Sequence, residues 1–143
     1  MATTTIRYAA SATRVGRTRA LSVAGAVLAA AAVWAVAVPL SGTHLLIRFG
    51  SGAAQSVGIE YVVGASLAAS LAGWGLLSLL ERRTARARRI WTGIAIVVVV
   101  LSLGLPVTAG TTMSSKVALA LMHVAVAAVL IPSMRRSSAA STE

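Results

Sequence analysis

Three ionisable residues stand inside the apolar stretches of this sequence and are the first candidates for chemistry. Glu60 lies near the start of one stretch, and Lys116 and His123 lie in another. A carboxylate, an ammonium group and an imidazole can pair with one another, carry protons or contact a polar ligand. Within a lipid bilayer such groups are costly and are usually kept for a structural or a functional reason. The three residues are therefore the candidate intramembrane polar contacts.

Glu60 and Lys116 are predicted to lie at similar depths near the outer interface, about four to five residues into their helices. At a rise of about 1.5 Å per residue, these depths differ by only about 2 Å. Lys116 also lies in the first turn of its helix, where the macrodipole disfavours a cation and a carboxylate nearby would compensate. Two arrangements stay open: an ion pair between them, or two side chains that extend separately to water.

His123 is predicted to lie near the middle of the bilayer, seven residues and about 10 Å beyond Lys116. Helical spacing places it on one face with Lys116, Ala120 and Ala127, and this face is predicted to point inward. Two serines of another apolar stretch are predicted at the depth of the imidazole and could bond it: Ser66 and Ser70. The alternatives are a structural hydrogen bond between helices or a functional contact, such as a proton relay or a ligand. We favour the structural role, because no carboxylate is predicted at this depth.

Catalytic signatures are absent from the sequence. It has no cysteine, which excludes thiol catalysis and cysteine-based metal sites, and it has only two histidines. It has no nucleophile elbow, phosphate-binding loop, zinc-protease motif or dinucleotide-binding glycine pattern. We predict a protein that is not an enzyme and that uses neither metal nor cofactor.

The composition of the chain is typical of a membrane protein. Of its 143 residues, 57% are apolar and 11% are charged, whereas soluble domains have about 25% charged residues. Thirteen basic residues against three acidic ones give a net charge of +10. The arginines lie between the apolar stretches, which favours anionic lipid headgroups as partners and not nucleic acid.

Four apolar stretches are long enough to cross a bilayer, which takes about 20 residues in a helix. They cover about residues 20–40, 57–80, 90–108 and 112–131. The predicted fold is an all-α, integral membrane four-helix bundle with up-down-up-down topology. A basic segment (1–19) precedes this transmembrane domain (20–134), and a short tail (135–143) follows it.

The basic residues also predict the orientation, because positive charge collects on the cytoplasmic side. Only Arg48 and Lys116 belong to the first and third connections. The other eleven lie in the N-terminal segment, the second connection and the tail: Arg7, Arg14, Arg17, Arg19, Arg82, Arg83, Arg86, Arg88, Arg89, Arg135 and Arg136. Both termini are therefore predicted to be in the cytoplasm, and the protein in the cell membrane.

A cleaved signal peptide is the competing interpretation of the N-terminus. Residues 1–19 are basic, and Ala35-Val36-Ala37 resembles a cleavage site. The apolar stretch of about 20 residues exceeds the usual signal-peptide core of 7–15, so we favour a retained helix. Cleavage would leave three spans in the same orientation.

The first connection, about residues 41–56, contains an apolar segment (44–49) between glycines. It is interpreted as an interfacial or capping segment, and the alternative is a lid over an outward-opening cavity. Trp91 is predicted to be an interfacial aromatic, and Pro132 is predicted to end the fourth helix. Small residues at four-residue spacing, such as Ala65, Ala69 and Gly73, permit close helix packing within the bundle or in a dimer.

Three segments carry a resemblance to a known family: WAVAVPL (34–40), WGLLSLLERR (74–83) and TAGTT followed by KVALALMH (108–112 and 116–123). Over about residues 20–134 the chain resembles small actinobacterial four-span membrane proteins that form a family of unknown function. The resemblance implies four spans and a cytoplasmic-membrane location, and it implies no activity.

The sequence favours a non-enzymatic accessory or interaction protein of the cell envelope, acting as a homo-oligomer or with another membrane protein. The alternative is a small oligomeric transporter or channel subunit that uses Glu60 and His123. A transporter should have a solvated cavity that reaches these residues, whereas a scaffold should be a closed, packed bundle.

Overall fold

Four long apolar helices account for most of the chain. A computed structural model describes the backbone of residues 2–139 and the side chains of residues 15–137. In this part, the helices long and apolar enough to cross a membrane are Val15–Leu40, Ile59–Arg83, Ala87–Ala109 and Met113–Ser137. The four predicted stretches are thus confirmed as helices long and apolar enough to cross a membrane. Residues 140–143 of the predicted tail lie outside the described residues.

The first span belongs to a helix that begins well before the apolar stretch. Helix α1 covers Ala2–Ala35 and continues as a π-helical turn, Val36–Leu40, which contains Pro39. Residues 2–19, predicted as a separate basic segment, are therefore continuous with the first span. Proline has no N–H to donate to the helix ladder, and the chain leaves the helix after Leu40.

The first connection folds into a small hairpin. Strands β1 (Leu46–Ile47) and β2 (Gln55–Ser56) pair in antiparallel fashion, and Gly50, with φ +57°, lies in the turn between them. Ile47 also forms a bridge with Gly110 in the third connection. The hairpin therefore joins the first and third connections at one end of the molecule.

Helix α2 has the length expected of a span, whereas the third apolar stretch is divided into two helices. Helix α2 covers Ile59–Arg83, α3 covers Ala87–Ser102, and a short helix α4 covers Gly104–Ala109. The break at Leu103 is explained by Pro106, which cannot donate to the carbonyl four residues earlier and whose ring crowds it.

Helix α5 covers Met113–Ala139 and contains Pro132. The prediction that Pro132 ends the fourth helix is therefore wrong: the proline is accommodated, and the helix continues for seven residues. At the other end, the Thr112 hydroxyl accepts a hydrogen bond from the Ser115 N–H (3.1 Å). This is the bond by which an N-cap threonine satisfies a free amide of the first turn.

The helices pack around α1, which lies against both α2 and α5, while α3 contacts the same two helices. Two apolar clusters form the core. One comprises Val23, Ala26, Leu77, Trp91, Leu130 and Met134, and the other comprises Ala30, Leu45, Val57, Val62, Ala118 and Met122. Helices α2 and α5 themselves touch at few positions, so space remains between them on the side away from α1.

Candidate functional site

An apolar cleft of about 570 Å³ lies between α2, α3, α4 and α5. Small side chains of α2 provide much of its volume, among them Ala65, Ala69 and Ala72. The spacing Ala65-x3-Ala69-x3-Gly73, predicted to allow close helix packing, here lines an open space. Ala69 and Val98 are exposed in the middle of their helices, so the cleft can be reached at mid-span.

The two ends of the cleft differ. At the hairpin end it is bordered by Ile47 and Phe49 from the first connection and by Tyr61. At the opposite end it is bordered by Leu76 and by Trp91. The first connection thus caps the molecule, as predicted, and also forms part of the cleft wall.

His123 lines this cleft and is half-buried. Its Nδ1 lies 2.7 Å from the carbonyl oxygen of Leu119, one turn earlier in the same helix. Because a carbonyl only accepts hydrogen bonds, Nδ1 carries the proton, and in the neutral ring Nε2 is an acceptor. The imidazole is therefore oriented by its own helix and not by a neighbouring one.

The two serines predicted as partners of His123 do not bond it. Ser66 donates to the Val62 carbonyl (2.7 Å) in its own helix. Ser70 is fully buried, and its hydroxyl has no hydrogen-bond partner among the described residues. The predicted bond between helices is therefore not formed. The physical reason is that α2 and α5 are kept apart by the cleft, while carbonyls one turn away lie within reach.

The face of α5 that packs in the core is adjacent to the predicted one. Lys116, Ala120, His123 and Ala127 are all half-buried. The buried positions of α5 are instead Ser115, Ala118, Met122, Leu130, Met134 and Ser137. The predicted face thus lies at the edge of the contact, which is why His123 reaches the cleft.

The predicted ion pair between Glu60 and Lys116 is not formed among the described residues. Glu60 is exposed and its carboxylate folds back toward Gly58, while the stem of Lys116 packs against Gly110. Glu60 does not line the cleft, so only His123 of the three ionisable candidates does so.

A polar cluster that the sequence did not predict ties three helices together. The Arg19 guanidinium donates to the hydroxyls of Ser137 (3.3 Å) and Ser78 (3.2 Å) and to a Glu81 carboxylate oxygen (2.5 Å). The Arg19 side chain is only 6% exposed. Arg19 precedes Val23, Ala26 and Ala30 by four, seven and eleven residues. Helical spacing therefore places it on the same face of α1 as these buried residues.

Trp91 is a core residue, and its prediction as an interfacial aromatic is wrong. It is 2% exposed and donates its indole N–H to the Gly73 carbonyl (2.8 Å). A Cβ added at Gly73 would lie 3.7 Å from the ring, at ordinary van der Waals distance. Trp91 thus links α3 to α2 at the end of the cleft opposite the hairpin.

Comparison with known protein families gives one match, to a family of unknown function designated DUF6069, over residues 10–140. The match covers nearly the whole chain. The chain belongs to DUF6069. Comparisons with curated proteins and with solved structures found no match.

The lining of the cleft limits what it could bind. Its walls are apolar apart from a few hydroxyls and one imidazole. In the part of the chain whose side chains are described, no three histidine or carboxylate groups come together as they would to hold a metal ion. The cleft is therefore suited to an apolar molecule that carries a small polar group.

Proposed function

We propose that this DUF6069 member is a non-enzymatic, multi-pass protein of the cytoplasmic membrane that acts as an accessory or interaction protein of the cell envelope. The apolar cleft carries the proposal, because it presents a concave surface at mid-span, where a membrane component can enter. The actinobacterial origin stays a prediction.

The proposed topology is a four-helix bundle with both termini in the cytoplasm. Its main support is the position of eleven of the thirteen basic residues. The Arg19 cluster adds to it, since it brings the start of the first span together with the ends of α2 and α5. The hairpin contact between Ile47 and Gly110 brings together the two connections with few basic residues.

Anionic headgroups at the cytoplasmic face are the proposed lipid partners, and nucleic acid is not proposed as one. The five arginines at and beyond the end of α2 are exposed: Arg82, Arg83, Arg86, Arg88 and Arg89. The nearby acid, Glu81, is paired with buried Arg19. Each exposed arginine near an anionic surface contributes about 1 kcal/mol to membrane attraction.

A pull-down in mild detergent, followed by native mass measurement, tests the accessory role. The proposal predicts a homo-oligomer or a complex with another membrane protein. A lone monomer that retains no partner would count against it.

The second candidate is a small oligomeric transporter or channel subunit, and one observation favours it: the cleft reaches His123. Against it, the cleft is apolar and Glu60 lies outside it. Solute flux in proteoliposomes that is abolished by His123→Ala would establish transport in place of the accessory role.

A further inference from the structure

The shape of the cleft limits what can occupy it. Along α2 it runs from Tyr61 to Leu76, which is about 22 Å at a rise of about 1.5 Å per residue. Distributed over that length, its volume of about 570 Å³ gives a mean cross-section of about 26 Å². The cleft is therefore long and narrow, and an elongated apolar molecule fits this shape.

Three polar side chains in the middle of the cleft already donate their protons in hydrogen bonds within their own helices. The hydroxyl of Ser66 donates to Val62 (2.7 Å), and that of Ser102 donates to Val99 (2.8 Å). The Nδ1 of His123 lies against the Leu119 carbonyl in the same way. Each group keeps lone pairs that can accept a hydrogen bond.

The indole N–H in the cleft wall is also occupied. The indole of Trp91 donates to the Gly73 carbonyl. Tyr61 carries a further hydroxyl, but it lies at the hairpin end and is 57% exposed. The middle of the cleft consequently offers acceptors and no free donor.

Because His123 lies deep in the bilayer, the excess of hydrogen-bond acceptors over donors around it is unfavourable in free energy. The residue lies ten positions after the start of α5 at Met113, about 15 Å along the helix and so near the centre of a hydrocarbon layer about 30 Å thick. An acceptor that is left unpaired in such surroundings is unfavourable. An occupant that brings an O–H group removes this cost.

We propose that the cleft binds a lipid-soluble alcohol or phenol, whose hydroxyl donates to Nε2 of His123 while its hydrocarbon part lies along α2 and α3. This inference rests on the proposed membrane location and names the class of molecule that the interaction protein takes up. The hydroxyl supplies the donor that the cleft lacks, and the thin hydrocarbon part fits its narrow cross-section.

The test compares two ligands that differ only in the donor, using the full chain in mild detergent. They are para-octylphenol and its methyl ether, para-octylanisole. Binding is measured by native mass spectrometry across a titration. The phenol should bind in a saturable, one-to-one manner and about five- to tenfold more tightly than the ether, the ratio expected for one hydrogen bond. Equal affinities, or no saturable binding of either ligand, would overturn the proposal.

Variants locate the site. His123→Phe keeps a ring of similar size and should reduce the phenol-to-ether ratio to about one. Ala69→Phe fills the cleft and should weaken both ligands together. Ser70→Ala is the matched control, because Ser70 lies on α2 but does not line the cleft, and it should leave the ratio unchanged. A preference for the phenol that survives in His123→Phe would contradict the assignment.

The two proposals can fail separately. The pull-down measures protein partners and does not depend on the test ligands, whereas the ligand ratio is a property of the isolated chain. Phenol selectivity in a protein that is otherwise a lone monomer would support the ligand site and reject the accessory role.

Discussion

Arg19 is a buried cation that bonds three side chains from two other helices. Replacing it with alanine should lower the free energy of unfolding by about 2–3 kcal/mol. This is less than the 3–5 kcal/mol typical of breaking a fully buried pair, since Glu81 is 29% exposed. The measurement is an unfolding titration in mixed detergent micelles, followed by helical circular dichroism.

Arg82→Ala is the matched control, because Arg82 is an exposed arginine at the same end of the molecule. Its effect should be within about 0.5 kcal/mol. Equal losses in Arg19→Ala and Arg82→Ala would mean that the Arg19 cluster does not hold the helices together.

Trp91 supports a second prediction at this scale. Trp91→Phe removes the hydrogen bond to the Gly73 carbonyl and part of the buried ring, so it should cost about 1–2 kcal/mol. Trp74→Phe, at a half-buried position of α2, should cost less. Thermal unfolding of both variants in the same detergent gives the comparison, and a larger loss for Trp74→Phe would contradict the assignment of Trp91 to the core.

The residues of the candidate site could be predicted from the sequence only in part. His123 stands out because an imidazole in an apolar stretch is rare, and it does line the cleft. Its hydrogen bond could not be predicted, since that depends on how far α5 lies from α2. Arg19 could not be distinguished in the sequence from the neighbouring arginines that were used to predict the orientation. Its partner Glu81 is also 62 residues away in the chain.

At the scale of elements, the tight connection between α4 and α5 requires a glycine. A Cβ at Gly110 would lie 2.7 Å from the Pro106 carbonyl oxygen and 3.2 Å from Cα of Lys116, both parts of the backbone. Gly110→Ala should therefore destabilise the protein by about 1–3 kcal/mol, the usual cost of overpacking. Unfolding in detergent measures the loss.

Gly93→Ala is the control for Gly110→Ala, because a Cβ at Gly93 in α3 meets nothing within 4 Å. That substitution should be neutral or stabilising by up to about 1 kcal/mol, as alanine favours helix more than glycine does. A loss in Gly93→Ala as large as that in Gly110→Ala would remove the steric explanation.

The elements themselves were largely predictable, whereas their ends were not. Long apolar stretches must form helices in a bilayer, because the backbone has no other hydrogen-bond partner there. Whether a proline breaks a helix depends on its surroundings: Pro132 lies within α5, while Pro106 is associated with the break at Leu103. The hairpin in the first connection likewise depends on a distant contact, that of Ile47 with Gly110.

At the scale of the whole molecule, the polar contacts at the two ends complement the apolar cleft between them. The Arg19 cluster fastens one end, and the hairpin fastens the other through the bond from the Arg48 N–H to the Ala109 carbonyl (2.8 Å). Between these ends, small residues on α2 leave the cleft open. The cleft therefore lies between two ends of the molecule that are each fastened by polar contacts.

The central claim is the orientation of the helices across the membrane, with the hairpin outside and the connection between α2 and α3 in the cytoplasm, and cysteine labelling tests it most directly. The chain has no cysteine of its own, so a single introduced thiol reports one position. Ala53→Cys, exposed in the hairpin, should react with a membrane-impermeant maleimide in intact cells. Ala85→Cys, exposed between α2 and α3, should react only after the membrane is permeabilised. The reverse pattern, or labelling of both thiols in intact cells, would contradict the claim.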